Sequence, residues 1–340
     1  MAERRVERTG QTMFKKKLGF LLGVMVLLSL TGYLVCLLAG SSKQINKDGE
    51  VLLVTSFYPM YVLAENLTAG VDGVSVSNLT ENQTGCLHDY QLTSRDMKLL
   101  DRADVFLVNG AGMELFMEKV VESNPGLTVL EASHGISLLE GIAHNHGEEA
   151  GHEAEHEADH DEENHEEHDH AHEENGHVWM DVERYREQLV NVTKELQVLM
   201  PNQAEALSQA AKSYDEKLDV LSAGVTDLAE HTEGIHVVIF HEAFAYLAES
   251  LGMEVLMALS LDEETLPSPG EIAEVIEEIN YHGTALVFIE EEYASYADKI
   301  MAETDAKVVY INPLTTGGGS ADSYLSGMWE NLSAIRRVVE

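Results

Sequence analysis

Across residues 203–229 apolar side chains return at helical spacing without a break, at Ala206, Ala210, Tyr214, Leu218, Leu221, Val225 and Leu228. A helix of that length is roughly 40 Å long at about 1.5 Å per residue, so it has to run between two bodies rather than inside one. Asn202 stands in front of it as the expected N-cap. On both sides the chain follows one pattern, short apolar runs alternating with longer amphipathic stretches. Before the helix the runs at 51–55, 104–110 and 127–130 read as strands, and 60–69, 113–122 and 182–199 as helices. After it, 236–240, 254–259, 285–289 and 307–311 read as strands, with helices at 243–251 and 269–280. Strands alternating with helices favour parallel sheets covered by helices. The expected class is therefore α/β: two (β/α) lobes with mostly parallel sheets, at 50–201 and 232–340, joined by one long rigid helix at 202–231.

The charge balance removes one class of partner. Sixty acidic residues against 21 basic ones give a formal charge of −39, which a phosphate backbone repels, so nucleic acid is not expected. Two cysteines without CxxC spacing make neither a disulfide framework nor a thiolate zinc site. A metal here must rest on imidazole and oxygen. The chain has 16 histidines, ten of them within 144–177.

At the N-terminus Arg4, Arg5, Arg8, Lys15, Lys16 and Lys17 precede an uncharged run at 18–39, long enough for a helix of about 30 Å. This reads as an export signal or a membrane anchor with its basic side in the cytoplasm, and it puts the rest of the chain outside. Its length favours an uncleaved anchor over lipidation. Residues 1–40 are then a cytoplasmic stub with the membrane segment, and 41–49 a linker.

Ligands in parallel α/β sheets sit beyond the carboxyl ends of strands. His241 directly follows the apolar run at 236–240 and precedes a helix. His88 lies in a loop before a helix expected at 94–100. His177 closes the histidine-rich tract just before Val178-Trp179-Met180-Asp181. One histidine in a polar loop is usually only solvated, but three in the loops of an exported, acidic α/β pair point to a metal. Neutral imidazole suits zinc, and three leave a fourth position for carboxylate, amide or water. His241-Glu242 begins like the helix of a zinc protease, yet Ala245 stands where the second histidine belongs, and no nucleophile elbow or phosphate-binding loop is present.

Several motifs in order resemble one family. They are Ser56-Phe57-Tyr58-Pro59-Met60-Tyr61, His88-Asp89-Tyr90 with Ser94-Arg95-Asp96, Ala103-Asp104-Val105 leading to Asn109-Gly110, His177-Val178-Trp179-Met180-Asp181, the block 241–247 from His241 to Leu247, and Asp322-Ser323-Tyr324 with Asn331-Leu332. From residue 51 to the end the chain resembles the metal-binding lipoprotein components of bacterial ABC importers, zinc branch. The resemblance implies a C-clamp of two lobes holding one Zn2+ in the cleft and delivering it to a membrane permease and its ATPase, as a monomer on the extracytoplasmic face of a bacterial membrane. It implies His88, His177 and His241 as ligands. The fourth is open: where relatives often have Asp before Pro-Leu, this chain has Asn312, and Glu290 or water are the other candidates. No catalytic residue is implied.

The tract at 144–176 is low in complexity, with no Lys or Arg. With almost nothing apolar to offset ordering entropy, it is expected to be a disordered loop. Its histidines, His144, His146, His152, His156, His160, His165, His168, His170 and His172, mixed with Glu and Asp, suit weak and exchangeable zinc binding that feeds the cleft or senses zinc. Besides the transport receptor, the sequence leaves open an extracellular zinc buffer or adhesin of the same fold, a receptor for manganese or another divalent metal, and a zinc hydrolase with an open coordination site.

Overall fold

The computed structural model describes residues 50–80, 87, 90–141, 174–259, 266–283 and 285–340. The N-terminal stub, anchor and linker, His88 and the nine tract histidines lie outside the described residues, and so do the expectations made for them. Among the described residues no helix is long and apolar enough to cross a membrane.

The first lobe runs β1 (Val51–Thr55), α1 (Tyr58–Thr68), β2 (Val74–Asn78), α2 (Ser94–Arg102), β3 (Val105–Val108), α3 (Met117–Ser123) and β4 (Thr128–Glu131). Its four strands are parallel in the order β2-β1-β3-β4. Pro59 opens α1, where a missing N–H costs nothing. A capping box of Thr93 and Asp96 opens α2. A two-stranded antiparallel pair, β5 (Leu139–Glu140) with β6 (Glu174–Asn175), and a single tight turn at Val178–Met180 lead into α4 (Val182–Leu199). Asp181 caps α4 by accepting from the Arg184 N–H.

The long helix α5 spans Ala204–Thr232. Asn202 does not cap it: Pro201–Gln203 forms a 3-10 turn, and Gln203 takes the N-cap position without a side-chain bond. Beyond it lie β7 (His236–Ile239), α6 (Phe244–Ser250), β8 (Glu254–Ala258), α7 (Pro269–His282), β9 (Leu286–Ile289), α8 (Ala294–Glu303), β10 (Lys307–Tyr310) and α9 (Ser323–Val339). The second sheet is also parallel, in the order β10-β9-β7-β8. Counted within each lobe, both sheets therefore have one strand order: second, first, third, fourth. In both, the first and third strands are neighbours, and the chain leaves them in opposite directions across the sheet, which opens a crevice at their carboxyl ends.

Alternation along the strands sets the packing. Val237, Ile239, Leu286 and Phe288 face the core that continues into the first lobe, whereas Val238, Phe240, Val287 and Ile289 face Ile272, Val275 and Ile279 of α7 and Ala297 and Ile300 of α8. One strand was not expected, and one expectation shifts. Val74 and Val76 form the edge strand β2, too short and too mixed with serine to stand out in the sequence. The helix expected at 113–122 starts only at Met117: residues 113–116 are irregular and turn, following Gly110, Ala111 and Gly112, which take positive φ at 78°, 53° and 77°.

Candidate metal centre

His241 sits two residues past β7, and Glu290 directly follows β9, the neighbouring strand. The strand order alone thus puts them side by side at the second lobe's crevice. His241 is 4% exposed, and its Nδ1 lies 2.7 Å from Glu290 Oε1. A carboxylate oxygen only accepts, so Nδ1 carries the proton and Nε2 is the nitrogen whose lone pair can bind a metal.

His177 arrives from the first lobe, at the mouth of the turn Val178–Met180, and is fully buried. Its backbone N–H donates to Asn175 Oδ1 at 3.0 Å, and its Nδ1 lies 2.9 Å from the same oxygen. Here too Nδ1–H is the donor, which leaves Nε2 as the nitrogen that carries the lone pair. The rings of His177 and His241 have centroids 5.1 Å apart at 83°. Trp179, with no exposed surface, packs 5.2 Å from His177 on one side and 4.9 Å from Phe57 on the other.

The two histidines are held together from behind. Asn175 Nδ2 donates to the Glu242 carbonyl at 3.0 Å, next to His241. The Tyr246 hydroxyl donates to the Asn175 carbonyl at 2.6 Å and accepts from the Leu139 N–H at 3.1 Å. Burial raises the Tyr246 pKa above the ordinary phenol range, against the Leu139 N–H bond, and keeps the proton on this oxygen. Ser250 Oγ donates to Asp181 Oδ2, and Arg184 pairs with Glu249, which adds two further ties between lobes.

Under His177 lies a second polar group. Glu114 accepts from the Asn109 N–H at 2.8 Å and the Gly110 N–H at 3.0 Å. Burial pushes its carboxyl up to about 7, against those hydrogen bonds. Asn109 Nδ2 donates to the Gly176 carbonyl at 2.9 Å, and Gln188 Nε2 donates to Asn109 Oδ1 at 2.8 Å.

Of the residues expected at the site, the structure brings together His177, His241 and Glu290. Asn312 is tied elsewhere: its Oδ1 accepts from the Leu314 N–H at 2.8 Å, and its backbone N–H and carbonyl both bond the Asn331 side chain. Among the described residues no group of three or more His, Cys, Asp or Glu stands in an arrangement that could hold a metal ion. The third histidine expected with them, His88, lies outside the described residues. Sequence reasoning missed Asn175, Tyr246 and Glu114. Asn109-Gly110 figured only as a motif, and the closely spaced glycines Gly110 and Gly112 were the hint in the sequence of the loop that starts there.

The family model described as ZnuA, zinc-uptake complex component A, periplasmic, matches residues 53–338. The zinc-binding protein AdcA of Streptococcus pyogenes serotype M3 is 26% identical over 320 residues, covering 92% of this chain and 61% of that one. The chain thus spans about three fifths of the length of the streptococcal relatives it matches. The high-affinity zinc uptake system protein ZnuA of Bacillus subtilis is 27% identical over 300 residues, covering 86% of this chain and 88% of that one. Among solved structures, FpvC of Pseudomonas aeruginosa in complex with Ni2+ superposes with a TM-score of 0.68 at 23% identity, covering 85% and 97% of the two chains. The Zn(II)-bound ZnuA-like domain of Streptococcus pneumoniae AdcA gives 0.65 at 23%, covering 86% and 99%. At such identity these structures establish the shared two-lobed fold.

Proposed function

The chain belongs to the ZnuA family of periplasmic zinc-uptake components, and from that premise we propose that it is the extracytoplasmic receptor of an ABC importer, capturing Zn2+ between its lobes and handing it to a permease driven by its ATPase. The observation that carries this reading is the His177–His241 pair. Two buried imidazoles from different lobes have their rings 5.1 Å apart, and each has its Nδ1 held by an oxygen. Anchoring of that kind fixes the tautomer and ring plane of a metal-binding histidine and raises its basicity. The relatives named above are zinc-binding and zinc-uptake proteins, and imidazole donors suit zinc better than manganese, which prefers oxygen.

In this reading His88, His177 and His241 are the ligands. Glu290 Oε1 serves His241, so only its Oε2 is left to complete the shell, with water as the other occupant. Asn312 builds the turn before Leu314 rather than binding the ion. The nine tract histidines add weaker, exchangeable sites, and the N-terminal segment keeps the receptor at the membrane. Competition titration of the purified protein against a chromogenic chelator tests the assignment. One tight zinc per chain is expected, lost on changing His88, His177 or His241 to Ala; parental affinity in all three variants overturns it.

A further inference from the structure

Three successive residues, Gly110, Ala111 and Gly112, have φ of 78°, 53° and 77°. Alanine in that region costs on the order of 1 kcal/mol and persists only where the surroundings impose it. Here Glu114 imposes it: one buried carboxylate takes the N–H groups of both Asn109 and Gly110, the residues that enter the strained stretch. The loop so fixed touches the segment carrying His177 in two ways. Asn109 Nδ2 donates to the Gly176 carbonyl. A Cβ at residue 176 would lie 2.8 Å from the Ala111 carbonyl oxygen, so the loop approaches as closely as only glycine allows.

The lobes share a strand order, and this arrangement has a counterpart. Asn109 follows the third strand of the first sheet as Glu290 follows the third strand of the second. Glu290 holds His241 directly through Nδ1. Asn109 holds the peptide immediately before His177. The same strand end in each lobe thus buttresses one histidine of the pair.

We infer that Glu114 and Asn109 are positioning residues for His177: the carboxylate fixes the 109–112 loop, and the loop fixes Gly176 and the imidazole that follows it. This rests on the reading that His177 binds the captured zinc. Neither residue reaches the metal; each acts through the place it gives a ligand. Glu114→Gln keeps the size of the side chain but faces one of the two N–H groups with an amide that donates instead of accepting. Asn109→Asp keeps the acceptor for Gln188 and removes the donor to Gly176.

The experiment uses the purified full chain, with Zn2+ in chelator competition, Co2+ as a spectroscopic stand-in, and the melting midpoint without metal. Val275→Ala, in the separate core between the second sheet and α7, controls for general destabilisation. Glu114→Gln and Asn109→Asp should each weaken the tight site by about tenfold or more and alter the visible Co2+ spectrum at saturation, while Val275→Ala lowers the midpoint with affinity and spectrum unchanged. If Glu114→Gln does not fold, Asn109→Asp decides alone. Parental affinity and spectrum in the folded variants, with His177→Ala defective, overturn the inference. Parental affinity in His177→Ala as well overturns the site reading on which it rests.

Discussion

Glu290 Oε1 lies 2.7 Å from Nδ1 of His241, and the two residues follow neighbouring parallel strands. The carboxylate makes the imidazole a better donor to a metal without needing to touch the ion. Replacing Glu290 by Gln keeps an acceptor at that place and removes the charge. Zinc affinity should fall by about 10–100-fold without a change in stoichiometry of the tight site. An unchanged affinity in chelator competition would show that the carboxylate is idle.

Tyr246 makes two bonds with one hydroxyl, to the Asn175 carbonyl and from the half-buried Leu139 N–H. Tyr246→Phe leaves both backbone groups without that partner at no cost in volume. Urea unfolding of the metal-free protein should show a loss of about 1–3 kcal/mol. Because Asn175 also holds His177, zinc binding should weaken with it. A variant as stable as the parent would mean that the hydroxyl contributes nothing to holding the β5–β6 pair.

Burial pushes the Glu114 carboxyl from 4.5 up to about 7. A raised folded pKa means that the folded state holds the proton more tightly than the unfolded one. Its stabilising contribution is fully present below about pH 4.5 and is lost as pH rises through about 7. Relative to Glu114→Gln, which does not titrate, the metal-free parent should lose on the order of 3 kcal/mol across that window. A constant difference between the two proteins from pH 4.5 to 8 would falsify the shift.

Deleting residues 144–172 removes nine histidines and leaves Asn175 and His177 in place. Isothermal titration should then find about one zinc per chain, with the tight affinity nearly that of the parent and the metal-free melting midpoint unmoved. Disappearance of the tight site would instead assign a principal ligand to the tract.

The long helix and the strands at 51–55, 236–240 and 285–289 were legible because their apolar runs are long or unbroken, and they emerge within a residue or so at β1, β7 and β9. His241 was legible as a crevice residue for the same reason, since a polar residue at the carboxyl end of a buried strand has one place to go. Glu114 was not. A carboxylate inside MELF reads as a helix residue, and only the turn at 110–112 brings it back onto the Asn109 and Gly110 N–H groups. Asn175 was hidden at the edge of an acidic tract, where composition argued for solvent. Long-range ties such as the Trp179 Nε1 bond to the Pro313 carbonyl, 2.8 Å across 134 residues, leave no local trace in sequence.

Helix α5 packs against α1 and α4 of the first lobe and also against α6 and α9 of the second, and α9 reaches back to α1. Its buried stripe of Leu207, Tyr214, Leu218, Leu221, Val225 and Leu228 belongs to both halves at once. Neither half can therefore be cut free as a working fragment, since whichever part kept the helix would bare an oily seam and whichever lost it would have no lid for its own interior. The protein should behave as one foldon, with the amides at the middle of this spine exchanging with solvent only when the whole molecule opens.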